Sequence, residues 1–388
     1  MMTPLSPSVL PAGVRSRFIH DVNEITFHAL EAGFETPGRQ LVLLLHGFPE
    51  LAYSWRKVMA PLAAAGYHVI APDVRGYGRS GGTDVKHSDD LRPFGSLNKI
   101  NDMLALVSAL GYRSVAGVFG HDQGSPLAGW LALTRPDVFK SVIMMSSPFR
   151  GAPEALPFNT VNVPAPVTPV VRIHEDLARL TPPRKYYMKY YTQADANDNM
   201  WHAKQGLHAF LRAYYHMKSA DWVANKPFPL TALIASEWEK LPRYYVMDLD
   251  KGMAESVAPE MPSVQEIASC HWLPDHELSV YSEEYGRNGF QGGLQGYRIG
   301  GLDQELKIFA GRTIDVPSLF VGGKSDWGVY QTPGGLESVE QTLTRQYKGT
   351  VLVDGAGHWV QQEQPEMVVK IFIDFLAASL SHQGIANH

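Results

Sequence analysis

The chain has 388 residues, 45% of them apolar and 19% charged, with a formal net charge of −5. Such a composition excludes intrinsic disorder, and the acidic balance gives no electrostatic footing for nucleic acid. A single cysteine, Cys270, excludes an intramolecular disulfide, and no window approaches the 18 apolar residues of a membrane span. The N-terminal stretch, Met1 to Gly13, lacks an apolar core of signal-peptide length. The expectation is a soluble, cytoplasmic protein that binds no membrane.

In chain order, Leu41–Leu45 is an unbroken aliphatic run that reads as a buried strand. Trp55–Ala65 is Ala-rich and helical, and Tyr67–Ala71 is the next strand. Leu97, Ile100, Leu104, Val107 and Leu110 recur at helical spacing, closed by Gly111. Ser114–Phe119 reads as a strand, Pro126–Leu133 as a helix and Ser141–Met145 as a strand. Pro148 to Pro169 holds six prolines in 22 residues, which breaks any regular element. A Tyr- and Trp-rich, largely helical stretch runs from there to about Arg298. Ser318–Val321 and Val351–Val353 read as strands, and Val368, Ile371, Phe372, Phe375 and Leu376 mark a last helix. This alternation implies an α/β fold, a mostly parallel sheet covered by helices on both faces. Residues 148–298 read as an insertion between core segments 1–147 and 299–388.

The motif that carries most chemistry is Gly120-His121-Asp122-Gln123-Gly124, a Gly-x-nucleophile-x-Gly frame between a strand and a helix. At its centre stands an aspartate rather than a serine. A carboxylate, titrating ordinarily near 3.9, is charged at neutral pH and attacks a saturated carbon without a base. Directly after the Leu41–Leu45 strand comes His46-Gly47-Phe48-Pro49, in the place where a loop amide completes an oxyanion hole. The two donors are then the backbone N–H groups of Phe48 and Gln123. Pro49, in a tight turn, is a candidate for the cis form. His358, in Gly355-Ala356-Gly357-His358-Trp359, follows the last strand and is placed as a general base. Asp326, just past the Ser318–Val321 strand, is placed to orient it. The chain order nucleophile, acid, histidine is the one this fold requires.

Gly78-Arg79-Ser80-Gly81-Gly82 matches the serine version of the elbow literally, but the polar residues after it start no apolar helix. Ser80 is therefore set aside as a nucleophile. Cys270, His271, Asp275 and His276 fit no strong zinc spacing, so no metal is expected.

His46-Gly47-Phe48-Pro49-Glu50, Tyr53-Ser54-Trp55-Arg56, Asp73-Val74-Arg75-Gly76-Tyr77-Gly78 and the Gly-His-Asp-x-Gly elbow together resemble the epoxide hydrolase branch of the α/β-hydrolase superfamily. The resemblance covers nearly the whole sheet domain and extends into the insertion. It implies an α/β-hydrolase fold with a large helical lid, no cofactor, and a small, mostly apolar epoxide as substrate beside water. It also implies two lid tyrosines that hydrogen-bond the epoxide oxygen. The run Pro182-Pro183-Arg184-Lys185-Tyr186-Tyr187-Met188-Lys189-Tyr190 assigns the first to Tyr187, with Tyr186 and Tyr190 as alternatives. The run from Gly289 to Arg298 assigns the second to Tyr297. The flanking residues His46, Pro49, His121, Trp327 and Trp359 are expected to line the substrate pocket.

The chain departs from the family pattern at Gln123, where many relatives carry Trp, and by extra length around Ala232–Pro262. A haloalkane dehalogenase would share the triad, but it typically needs that Trp as a halide donor. A serine esterase would need Ser80, and a non-catalytic binding relative would tolerate a broken triad.

Overall fold

The structure, a computed structural model, describes residues 3–153, 169–301 and 303–381. Ten strands are formed among them: β1 (Val14–Val22), β2 (Ile25–Ala32), β3 (Leu41–Leu45), β4 (His68–Pro72), β5 (Gly117–His121), β6 (Val142–Met145), β7 (Arg184–Tyr186), β8 (Val246–Asp248), β9 (Ile314–Gly323) and β10 (Thr344–Val353). Eight make one sheet in the order β1-β2-β4-β3-β5-β6-β9-β10. Pairing is antiparallel for β1 with β2 and for β2 with β4, and parallel from β4 through to β10. Every residue of β3, β4, β5 and β6 is buried, as parallel strands covered on both faces must be. One apolar cluster fills each side of the sheet, and the larger continues into the helices after residue 169.

The predicted elements recur with shifted ends. The strand expected at Ser114–Phe119 runs instead from Gly117 to His121, and Val115 makes only an isolated bridge to Phe139. The two strands expected near the C-terminus are each ten residues long. Strands β1 and β2 do not stand out in the sequence because charges interrupt them. Two polar side chains of β2 are buried and partnered: His28 Nδ1 lies 2.7 Å from Asp73, and Glu31 accepts from Arg15 Nε at 2.7 Å and lies 2.8 Å from His68 Nε2.

Helices dominate the described residues from 169 to 301, joined by the short antiparallel pair β7 and β8. Of the proline-rich run Pro148–Pro169, residues 154–168 lie outside the described residues. Among the described residues no helix is long and apolar enough to cross a membrane.

Candidate active site

Each triad candidate stands just beyond the C-terminal end of a parallel strand, where open α/β sheets collect their ligands. Asp122 follows β5 with φ of 51°, a left-handed conformation rare outside glycine. That turn brings β5 so close to the helix Gly124–Thr134 that both flanking positions must be glycine. A Cβ on Gly120 would stand 1.9 Å from the carbonyl oxygen of Gly124, and one on Gly124 would stand 2.2 Å from that of Leu45.

The carboxylate of Asp122 is held at one oxygen and faces the imidazole with the other. Oδ1 accepts from the Phe48 amide at 2.9 Å, and Oδ2 faces Nε2 of His358 at 3.5 Å. His358 Nδ1 lies 3.0 Å from Asp326 Oδ1. Because a carboxylate can only accept, Nδ1 carries a proton toward Asp326. Asp326 Oδ1 also accepts from the Gly328 amide at 2.7 Å, and its Oδ2 accepts from the Ser146 hydroxyl. Burial alone would raise the pKa of Asp122. The facing imidazole of His358, with the charges of Lys218 and His121, outweighs it and holds the group below the usual carboxylate range. Asp326 is lowered in the same way, burial being overcome by His358, Ser146 and the Gly328 amide.

A cavity of about 520 Å³ opens over this arrangement, with Asp122, Gln123, Tyr186, Tyr187 and Tyr297 on its wall. A smaller cavity of about 200 Å³, bounded by Arg92, Asn98 and Glu305, touches none of these five. Tyr187 opens the short helix Tyr187–Tyr191, and its amide donates to the Tyr245 carbonyl at 2.8 Å beside the β7–β8 pair. Tyr297 comes from the helix Gln291–Arg298, and its ring lies 6.3 Å from that of Tyr187. Burial, and after it the negative charge of Asp122 among others, pushes both phenols well above their ordinary pKa, so both remain donors. Of the alternatives to Tyr187, Tyr186 donates its hydroxyl to Gln331 at 2.9 Å and Tyr190 donates to Asn199 at 2.6 Å. Gln123 makes the wall beside the nucleophile polar, and its Oε1 accepts from the Tyr77 hydroxyl at 3.0 Å.

Five flanking residues are expected from the sequence on the pocket wall. His46, Pro49, His121, Trp327 and Trp359 are buried and absent from the cavity lining. They pack behind the reacting groups. His46 Nε2 accepts from the Val74 amide at 3.0 Å. His121 bridges Glu50 and the His358 carbonyl, the latter at 2.6 Å. Trp359 donates to the Tyr215 carbonyl at 2.9 Å, and Trp327 packs edge-on against Phe228. Pro49 follows a cis peptide bond. Ser80 is fully buried, donating to the Asp73 carbonyl at 2.6 Å and accepting from the His28 amide at 2.9 Å, which leaves it no role as a nucleophile.

Three residues of the site went unread in the sequence. Lys218 is 3% exposed, with its ammonium 5.2–5.7 Å from the ring centres of Tyr214, Tyr244, Tyr245 and Trp359. Its carbonyl accepts from the His358 amide at 2.7 Å. Glu363 accepts from the Gly357 and Trp359 amides, each at 2.9 Å, and so clamps the loop on both sides of His358. Ser146 follows β6 directly, and its place at a strand's C-terminal end was a usable signal.

Comparison with known proteins places this geometry. A family model for the alpha/beta hydrolase fold matches residues 40–171. Epoxide hydrolase B of Mycobacterium tuberculosis is 30% identical over 344 residues, which cover 87% of this chain and 91% of that protein. The chain belongs to the epoxide hydrolase family. Epoxide hydrolase A of the same organism is 29% identical over 94% of this chain and 98% of its own length. The solved epoxide hydrolase from an endophytic Streptomyces superposes with a TM-score of 0.74 at 29% identity, over 95% of this chain and 96% of that one. The crystal structure of Epoxide Hydrolase A from Mycobacterium thermoresistibile gives 0.71 at 28% identity, over 94% and 98%. In this epoxide hydrolase the Gly120–Gly124 turn carries a carboxylate, Asp122, at its tip.

Proposed function

We propose that this epoxide hydrolase opens a small, mostly apolar epoxide to a vicinal diol through an ester on Asp122. The observation that carries the reading is the Asp122 carboxylate, fixed between the Phe48 amide and His358, on one cavity wall with Tyr187 and Tyr297. In the first step Oδ2 of Asp122 attacks the less hindered ring carbon. The C–O bond breaks while Tyr187 and Tyr297 hydrogen-bond the ring oxygen, and one of the two phenols gives the resulting alkoxide its proton, to be restored by the proton that Asp122 sheds on returning to the carboxylate after hydrolysis. Phenols are suitable weak acids for this work. In the second step Nε2 of His358 removes a proton from water, which adds to the ester carbonyl. Negative charge then collects on Oδ1, already seated on the Phe48 amide, with the Gln123 amide as second donor. Such a donor contributes about 3–4 kcal/mol to the transition state. Asp326 stabilises the imidazolium until the tetrahedral adduct collapses: the bond from the acyl carbon to the alkyl oxygen breaks, the imidazolium proton passes to that oxygen, and the diol leaves. Residues 148–298 form the lid that carries both tyrosines, between core segments 1–147 and 299–388.

His358→Gln incubated with styrene oxide should accumulate protein heavier by one substrate, with the mass mapping to Asp122. Asp122→Asn should neither form the adduct nor release diol. Turnover by His358→Gln without an adduct would refute the two-step scheme.

A further inference from the structure

Ser146 touches both the proposed base, His358, and its partner Asp326, and nothing in the two-step scheme yet uses it. It is fully buried, directly after β6. Its Oγ lies 2.5 Å from Asp326 Oδ2 and 2.8 Å from His358 Nδ1. The proton count fixes the directions. Nδ1 carries its proton, shared between Asp326 Oδ1 and the serine oxygen. The serine's own proton then goes to Asp326 Oδ2, which can only accept. Each of these protons has an acceptor, and the carboxylate cannot rotate without breaking a hydrogen bond.

The backbone shows that this placement is held against local preference. Ser146 has φ of 67°, one of five non-glycine residues with positive φ among those described, and Asp122 is another. Its amide donates to the Val321 carbonyl of β9 at 2.9 Å, which pins the end of β6 to the strand that leads to Asp326. Gly328 opposite is kept bare: a Cβ there would stand 2.7 Å from Ser146 Oγ and 2.9 Å from Asp326 Oδ1. Strained residues that survive at a site mark a function for the strain.

We propose that Ser146 is a positioning residue for ester hydrolysis, holding the Asp326 carboxylate and the Nδ1–H form of His358 in register. The proposal rests on the two-step reading above. It separates the two chemical steps, because ring opening by Asp122 does not use the imidazole as a base and hydrolysis does.

The test follows single turnovers of wild type, Ser146→Ala and Ser146→Gly by rapid quench, reading adduct formation and adduct decay separately. Glycine removes the hydroxyl and also relieves the positive φ, so it keeps the experiment informative if alanine impairs folding. Both variants are expected to form the Asp122 adduct within about 3-fold of the wild-type rate and to hydrolyse it about 10-fold or more slowly, as loss of a hydrogen bond to a charged group implies. Hydrolysis at the wild-type rate in a folded variant would overturn the assignment. Equal slowing of both steps would also overturn it, since that is what general damage to the site produces. No adduct in His358→Gln would remove the two-step scheme itself, and this proposal with it.

Discussion

At the residue scale, the site pairs groups whose charge states burial drives apart. Asp122 stays ionised although buried, because His358 and more distant cations oppose the desolvation, whereas the phenols of Tyr187 and Tyr297 stay protonated because burial and the same carboxylate act together on them. A carboxylate and two hydroxyl donors thus face one cavity at neutral pH. Tyr297→Phe and Tyr187→Phe should each slow adduct formation about 10²-fold while leaving decay of a preformed adduct within about 3-fold; rapid quench reads both. Gln123 has a different role in this site. Its side chain supplies the acceptor for the buried Tyr77 hydroxyl. Gln123→Leu should leave the backbone amide in place and lower stability by about 1–3 kcal/mol through the unpaired phenol, seen as a lower midpoint in urea with measurable turnover retained.

At the scale of elements, what was legible follows from chemistry that needs fixed spacing. The elbow, the His46-Gly47-Phe48-Pro49 turn, Asp326 and His358 each sit within six residues of a strand end that the apolar runs marked, so four short segments pointed to one edge of the sheet. Burial could not be read in the same way. His46, His121 and Trp359 neighbour reacting residues in the chain, yet strand alternation and tight turns aim them behind the site. Strands β1 and β2 were hidden by charges whose partners lie up to 45 residues away. Lys218 was invisible for the opposite reason: a lysine at the end of a helix normally reads as a solvated charge, and only the four rings around it make it a buried one. The elbow itself gives a sharp prediction. Gly120→Ala would drive a methyl to 1.9 Å from the Gly124 carbonyl oxygen, against backbone that cannot step aside. Soluble expression with an unchanged melting temperature would contradict that geometry; the expected result is loss of folded protein.

At the scale of the whole molecule, the acid side of the stability curve is set by buried carboxylates. Glu31, which joins β2 to Arg15, Arg17 and His68, illustrates the sign. Burial would raise its pKa, but these partners lower it from 4.5 to about 2. A depressed pKa contributes stability that is fully present above the unfolded value and fades as pH falls toward the folded one. Glu31→Gln should therefore be less stable than wild type by about 2–3 kcal/mol at pH 7, with the difference shrinking between pH 4.5 and pH 2. Parallel thermal melts across that window check it, and a difference that stays constant with pH would exclude the charge as its source.

The carbonyl of Lys218 is the hook on which the His358 amide hangs, and Lys218 ends the helix Leu207–Lys218 within the lid segment. In the reading proposed above, cover and base therefore share one anchor: a lid that swung away bodily would break the hydrogen bond that seats the His358 loop, so lid position and base position are coupled.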